Sequence, residues 1–123
     1  WQVMNESQLR QLAASPWASV GSHGYYHDDL GGIPTEDAVK LLRKSKNYLE
    51  EVLAQEITAL AYPNGAYTPA LVAAAKRLGF AQQLIVNYNQ AADQEIPEIR
   101  PRLTVNPFIS LDNQIRAILR GDY

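Results

Sequence analysis

The residues of this sequence whose type and spacing best suit chemistry are its two histidines. His23 and His27 stand four positions apart after the apolar run 17–20, and the sequence predicts a short strand over 17–22. Imidazole is the commonest metal ligand in proteins, and zinc accepts it at about 2.0–2.1 Å. The pair is a candidate half-site, because a catalytic zinc usually has three protein ligands and a water. The alternative is one packed or solvated histidine beside an unrelated neighbour.

Length, charge and composition narrow the class of protein. The 123 residues suffice for one domain or part of one, and 46% of them are hydrophobic. A net charge of −2 gives no electrostatic reason to expect a nucleic-acid partner, and the lack of cysteine excludes disulfides and thiolate metal sites. No apolar run approaches the roughly 18 residues of a membrane-spanning helix. The sequence begins without an initiator Met or a signal peptide, so we expect it to be part of something longer.

Apolar periodicity and capping residues predict four helices that alternate with four short strands. Each helix is expected to begin beside a residue that caps well: Asn5, Thr35, Thr68 and Ser110. The strands are predicted at 17–22, 57–62, 83–86 and 103–105. Alternation of this kind is typical of an α/β fold with parallel strands.

Two loops follow predicted strands, at 23–27 and at 62–67. Because the carboxyl ends of parallel strands share one edge of a sheet, we expect these loops to converge there.

The two loops carry motifs that resemble those of a known enzyme family. The first reads GSHGYYHDDL over 21–30, and the second reads AYPNGAY over 61–67. With the helix before the first motif and the segment 68–80 after the second, they resemble the polysaccharide deacetylases, the NodB-like enzymes of carbohydrate esterase family 4. The resemblance covers residues 3–107.

The resemblance implies a partial distorted (β/α) barrel and the hydrolysis of N-acetyl groups on amino-sugar polysaccharides. It implies a divalent metal, usually zinc, on His23 and His27, and an oxyanion donor at the main-chain N–H of Asn64. It also implies that four residues shape the acetyl pocket or contact substrate: Tyr62, Pro63, Gly65 and Tyr67. The implied partner is an N-acetylated polysaccharide, and the implied location is the cell envelope, periplasmic or extracellular.

The sequence departs from the family pattern in its third metal ligand and its general base. The family's first motif, Thr-Phe-Asp-Asp-Gly, supplies both groups and is absent. Asp28 and Asp29 match the family's loop after the second histidine, and we interpret them as loop-capping or helix-entry residues. Residues 1–123 are therefore expected to be one domain, the C-terminal portion of a deacetylase domain, inactive alone and weak in metal affinity. The alternative is a catalytically inactive carbohydrate-binding or interaction module on the same scaffold.

Several aromatic side chains have a structural interpretation beside the functional one. Tyr62 and Tyr67 either line a groove or pack in the core, and Tyr25 and Tyr26 either stack on a sugar or pack against the strand. Trp17 is expected in the core because it opens a predicted strand.

Two further expectations concern the surface. The polar loop 87–97, which contains Asp93, is expected to be solvated. A barrel that lacks its first strands leaves an unpaired sheet edge and exposed apolar surface, which predicts that the chain either associates with itself or rearranges.

Overall fold

The computed structural model describes residues 3–102 and 108–120, which contain four α-helices and three strands. The helices are α1 (Glu6–Ala13), α2 (Thr35–Leu53), α3 (Pro69–Arg77) and α4 (Leu111–Arg120). The strands are β1 (Ala59–Ala61), β2 (Gln82–Ile85) and β3 (Ile99–Pro101). Short 3₁₀ turns occupy Pro63–Gly65 and Ala91–Glu95. The strand predicted at 103–105 lies outside the described residues.

The three strands form a parallel sheet in the order β1-β2-β3. Leu60 of β1 pairs with Gln83 of β2, and Gln83 pairs in turn with Ile99 of β3. The strands are parallel, and α3 connects β1 to β2, which is the α/β arrangement that the sequence predicts and is consistent with a partial (β/α) barrel.

The strand predicted over 17–22 is wrong except at its last residue. Ser22 joins β1 through an isolated parallel bridge to Leu60. The Ser22 N–H donates to the Ala59 carbonyl at 2.9 Å, and the Ala61 N–H donates to the Ser22 carbonyl at 2.8 Å. The segment that leads into the histidines is therefore attached to the sheet at a single position.

Trp17 lies on the surface, 94% exposed, and the prediction that it belongs to the core is wrong. The chain turns after α1 instead of extending along β1, since the Ala18 N–H donates to the Ser15 carbonyl at 3.3 Å. The Ser15 hydroxyl also accepts the Trp17 N–H at 3.2 Å. This turn directs the indole away from the sheet.

Capping side chains start α1 and α3 as the sequence predicts. Asn5 and Gln8 form a reciprocal capping box, with bonds of 2.9 and 3.0 Å, and Thr68 accepts a main-chain N–H of α3 at 3.2 Å. At α2 the expected cap is wrong, because Pro34 occupies the cap position without a side-chain bond and Thr35 is the first helical residue. The Pro34 carbonyl accepts two N–H groups of the first turn instead.

The core is built from the strands and from the inner faces of α2 and α3, and α2 contacts both α1 and α3. Its fully buried side chains include Leu42, Leu60, Tyr62, Leu71, Phe80, Ile85 and Ile99. This packing fixes the carboxyl end of β1, where the second motif begins.

Helix α4 is amphipathic and buries little of itself. Ala117 is its one buried residue, whereas Leu111, Ile118 and Leu119 are mostly exposed. The Ser110 hydroxyl accepts a main-chain N–H near the start of the helix at 3.4 Å, at the position predicted. In the part of the chain that the structure describes, no helix has the length and apolarity to cross a membrane.

Candidate active site

The two motif loops converge, as expected from parallel strands. His23 follows the bridging residue Ser22, and its ring Nδ1 lies 2.7 Å from the Ala61 carbonyl at the end of β1. Gly24 lies against Pro63, since a β-carbon on Gly24 would stand 3.4 Å from the Pro63 Cγ. The histidine loop and the Pro-Asn-Gly loop are therefore in direct contact.

The rings of His23 and His27 lie beside each other, with centroids 4.9 Å apart and planes at 72°. Two left-handed residues fold the chain back between them: Gly24 has φ +77°, and His27 itself has φ +61°. Left-handed backbone is uncommon outside glycine and is often found at functional sites. The loop thus has the conformation needed to bring both imidazoles to one place.

The contact between His23 and the Ala61 carbonyl fixes the form of the His23 ring. A carbonyl oxygen only accepts hydrogen bonds, so the neutral ring carries its proton on Nδ1 and donates it to that oxygen. Nε2 is then left with a free lone pair. Metal-binding histidines are usually oriented in this way, with the other ring nitrogen bonded to a carbonyl or a carboxylate.

The donor set of the pair fits a divalent metal in part. Two exposed imidazoles suit zinc, but within residues 3–102 and 108–120 no three His, Cys, Asp or Glu side chains are grouped to hold an ion. His23 and His27 would therefore supply two ligands of a larger set.

The two aspartates after His27 have different roles. The Asp29 carboxylate accepts the Gly32 N–H at 3.1 Å, which confirms it as a loop-capping residue. Asp28 has a buried Oδ2 that finds no hydrogen-bond partner among the described residues. Its predicted capping role is therefore supported by no bond to that oxygen.

The second loop is a tight 3₁₀ turn over Pro63–Gly65. Asn64 and Gly65 both have left-handed backbone, with φ of +55° and +71°. Gly65 is required there, because a β-carbon would stand 2.8 Å from the main-chain nitrogen of Val86. Asn64 is exposed, and its N–H donates to no acceptor in the described part of the chain, so that group is free to bind an oxyanion.

Tyr62 and Tyr67, the two tyrosines beside this loop, are buried, so of the two interpretations core packing is correct. The Tyr62 hydroxyl donates to Gln83 Oε1 at 2.6 Å, and the Gln83 amide donates to the carbonyls of Val72 and Phe80. Burial raises the pKa of the Tyr62 hydroxyl, which keeps it protonated as a donor. Both rings therefore support the loop from the core, and the substrate contacts of Tyr62 and Tyr67 stay predictions.

Asp93 was expected in a solvated loop and is only 2% exposed, so that expectation is wrong. Its carboxylate accepts the Tyr67 hydroxyl at 2.7 Å and the Gln90 amide at 3.1 Å. The Tyr67 hydroxyl in turn accepts the Asn89 N–H at 2.9 Å. The bond from Tyr67 holds the pKa of the Asp93 carboxyl below its usual value, and burial raises the pKa of Tyr67. This network ties the loop after β2 to the second motif, and no sequence motif marked it.

Comparison with protein families decides what kind of protein carries these loops. Residues 1–83, two thirds of the chain, match the model of the polysaccharide deacetylases. The chain belongs to the polysaccharide deacetylase family. Both motif loops fall within the matched residues, so the resemblance seen in the sequence is confirmed.

Individual deacetylases are similar to this one along most of its length. The chain is similar to YxkH of Bacillus subtilis (strain 168), which is described as a polysaccharide deacetylase. The two sequences are 23% identical over 107 residues, which are 87% of this chain and 38% of YxkH. The Streptococcus pyogenes deacetylase PplD, solved in complex with acetate, has a TM-score of 0.74 at 25% identity and is matched over 92% of this chain and 50% of PplD.

Two further solved structures share the fold of this chain. The de-N-acetylase of Aggregatibacter actinomycetemcomitans has a TM-score of 0.74 at 13% identity, over 92% of this chain and 52% of its own. IcaB from Ammonifex degensii has a TM-score of 0.67 at 23% identity, and the match covers 83% of this chain and 48% of IcaB. The chain thus spans 38% of YxkH and about half of each of the solved chains.

A cleft of about 450 Å³ adjoins His23, between the histidine loop and α2. Tyr25 and Tyr48 line it, with ring centroids 6.5 Å apart. Lys44 Nζ lies 4.0 Å from the Tyr25 ring centroid and donates to the Tyr26 hydroxyl at 2.9 Å. That bond raises the pKa of the Lys44 ammonium. Tyr25 and Tyr26 therefore pack on each other and on Lys44.

Proposed function

We propose that this chain is part of a metal-dependent deacetylase that hydrolyses N-acetyl groups on amino-sugar polysaccharides. The observation that carries the proposal is the hydrogen bond from His23 Nδ1 to the Ala61 carbonyl, which leaves Nε2 free beside the His27 ring. In this proposal His23 and His27 bind a divalent metal, zinc being the metal that suits two neutral imidazoles. The acetate found with the related PplD agrees with acetate as a product.

The residues of this chain contribute orientation and charge stabilisation. When bound at the pair, zinc supplies Lewis acidity toward the amide carbonyl and lowers the pKa of a water molecule. The Asn64 N–H faces no protein acceptor among the described residues, and it stabilises the oxygen that becomes negative as the amide is attacked. Pro63 and Gly65 hold that N–H in place from buried positions on either side. Because the donor is a main-chain group it does not depend on side-chain chemistry, and asparagine is one of the residues that accept the left-handed backbone at this position.

The proposal includes an inactive state for the chain by itself. Within its described part the structure brings no third ligand to the histidines, and the sequence contains no counterpart of the family's Asp-Asp motif. A general base and a third ligand are therefore required from outside these residues.

The alternative function is that of an inactive carbohydrate-binding or interaction module on the same scaffold. The incomplete ligand set is the observation that favours it. Acetate release by the complete polypeptide distinguishes the two functions, because a binding module releases none.

The test is acetate release from N-acetylated polysaccharides by the complete polypeptide that contains these residues. We expect turnover that a chelator abolishes and added zinc restores, and that His27→Ala lowers at least a hundredfold. Asn47→Ala, an exposed change on α2 away from the site, is the matched control and is expected to keep full activity. Acetate release that withstands chelation and His27→Ala would contradict the proposal.

A location in the cell envelope, periplasmic or extracellular, is part of the same proposal. A polymeric N-acetylated substrate of the envelope is accessible to an enzyme only on that side of the cytoplasmic membrane. Fractionation of cells that produce the complete polypeptide tests it, and a purely cytoplasmic location would contradict it.

A further inference from the structure

A buried hydroxyl on α2 is connected to the histidine loop through one hydrogen bond. Ser45 lies on the core-facing side of α2, in line with Leu42 and Val52, and is 4% exposed. Its Oγ lies 2.8 Å from the Oγ of Ser22, which is itself 2% exposed. A buried hydroxyl is costly unless it is hydrogen-bonded, so these two side chains depend on each other.

Ser22 passes this connection on to the turn between the histidines. Its Oγ accepts the Gly24 N–H at 3.2 Å, and Gly24 is the left-handed residue that starts the turn toward His27. The main chain of Ser22 forms the isolated bridge to β1. The residue before His23 is therefore held by the sheet through its main chain and by α2 through its side chain.

We propose that Ser45 is a positioning residue for the histidine pair. By bonding to the Ser22 hydroxyl, it holds that hydroxyl in the rotamer that accepts the Gly24 N–H. This bond sets the direction in which the chain leaves Ser22. Without it, the Ser22 side chain is free to choose another rotamer, and the turn that places His27 beside His23 loses a support. The role in metal binding rests on the proposed function, whereas the role in loop geometry does not.

Helix packing alone does not account for a serine at this position. Alanine is a better helix former than serine and removes no apolar contact, so Ser45→Ala favours α2 locally. The cost of the substitution falls on Ser22, whose buried oxygen loses a partner. If Ser45 served only the packing of α2, Ser45→Ala would change the stability of the protein alone. If Ser45 positions Ser22, the substitution also changes the geometry of the histidine loop.

The first test measures zinc binding to the chain by isothermal titration calorimetry. Ser45→Ala and Ser22→Ala are each expected to weaken zinc binding roughly tenfold, as is usual when a group that orients a metal ligand is removed. The double variant is expected to bind zinc no more weakly than Ser22→Ala alone, because Ser22→Ala already removes the bond to Ser45 together with the bond to the Gly24 N–H. Val52→Ala is the matched control, since it creates a cavity on the same buried face of α2 without touching Ser22. It should lower the melting temperature and leave the zinc Kd unchanged.

The second test needs no metal and follows the His23 ring by NMR. The Nδ1–H tautomer, with its proton protected by the Ala61 carbonyl, is expected in the wild type and in Val52→Ala. In Ser45→Ala the ring is expected to populate both tautomers with a faster-exchanging proton. Unchanged zinc affinity and an unchanged His23 ring signal in Ser45→Ala would overturn the proposal.

The two tests separate the proposals from each other. If the wild-type chain binds no zinc, the metal half-site fails, and the NMR comparison alone decides the role of Ser45. If Ser45→Ala does not fold, Ser22→Ala takes its place, because it also removes the bond between the two hydroxyls. Its zinc affinity and its His23 ring signal are then measured in the same way.

Discussion

His23 and Ala61 are joined by a 2.7 Å contact between a ring nitrogen and a main-chain carbonyl. The two residues belong to different motifs, 38 positions apart. Because Ala61 ends β1 and Ser22 bridges to the same strand, the sheet itself brings these motifs together. The contact fixes the orientation of the His23 ring and leaves Nε2 unbonded to Ala61, the usual arrangement of a metal-binding histidine.

The affinity of the pair for zinc is expected to be weak. Two neutral imidazoles without a carboxylate form a poor zinc site, so isothermal titration of the chain should give a micromolar or weaker Kd. His23→Ala and His27→Ala should each abolish the signal with little change in melting temperature, because both rings are exposed. A nanomolar Kd for the wild type would mean a third protein ligand and contradict this account.

Gly65→Ala is expected to destabilise the fold more than Gly24→Ala. Both glycines have left-handed backbone, which costs an alanine about 1–2 kcal/mol. Gly65 would also place its new β-carbon 2.8 Å from Val86, whereas at Gly24 the nearest atom is 3.4 Å away. The added overlap costs about 1–3 kcal/mol, so urea denaturation should show the larger loss of unfolding free energy for Gly65→Ala. Equal losses in the two variants would show that the close approach to Val86 is unimportant.

The network around Asp93 predicts a specific pH dependence of stability. Because Tyr67 lowers the pKa of Asp93 in the folded state, its carboxylate stabilises the protein above the unfolded pKa of about 3.9. That contribution is lost as the pH falls through the folded pKa. Asp93→Asn should therefore be less stable than wild type at pH 7, with a difference that shrinks below about pH 4.

Unfolding free energies from urea titrations at pH 7, 5 and 3 test this dependence on Asp93. Glu50 and Glu98, whose pKa values are also lowered through bonds from Lys46 and Lys76, are common to both proteins and cancel in the comparison. A difference between variant and wild type that is constant across the pH range would be evidence against the role assigned to Asp93.

Self-association of the chain remains a prediction, and exposed apolar residues support it. Trp17, Leu111 and Leu119 are largely exposed, and Ser22 marks a sheet edge with a single bridge. Light scattering at micromolar concentration is expected to show species larger than the monomer. Replacing Trp17 and Leu119 together by Glu should reduce that size. A wild-type chain that is cleanly monomeric would contradict the prediction.

Local signals in the sequence predicted most of the fold. The capping box at Asn5 and the Thr68 cap act within a few residues, so the sequence shows them directly. The convergence of the two loops followed from the alternation of helices and strands, because parallel strands end at a common edge.

The errors arose where distant contacts decide the outcome. The sequence predicts a strand that begins at Trp17. Among the described residues of that segment, only Ser22 pairs with β1, and Trp17 is exposed. Asp93 reads as a loop residue, and its burial depends on Tyr67, which lies 26 positions earlier. The bond between Ser22 and Ser45 could not be predicted either, since the sequence does not indicate which distant residue a serine within an apolar stripe will contact.

The central claim, that His23 and His27 together bind a divalent metal, is tested most directly by anomalous diffraction at the zinc edge from a zinc-soaked crystal. The account predicts an anomalous peak about 2.0–2.1 Å from one ring nitrogen of each residue, with His23 bound through Nε2 while Nδ1 keeps its bond to Ala61. Absence of a peak at the pair, or a peak on the Nδ1 side of His23, would contradict it.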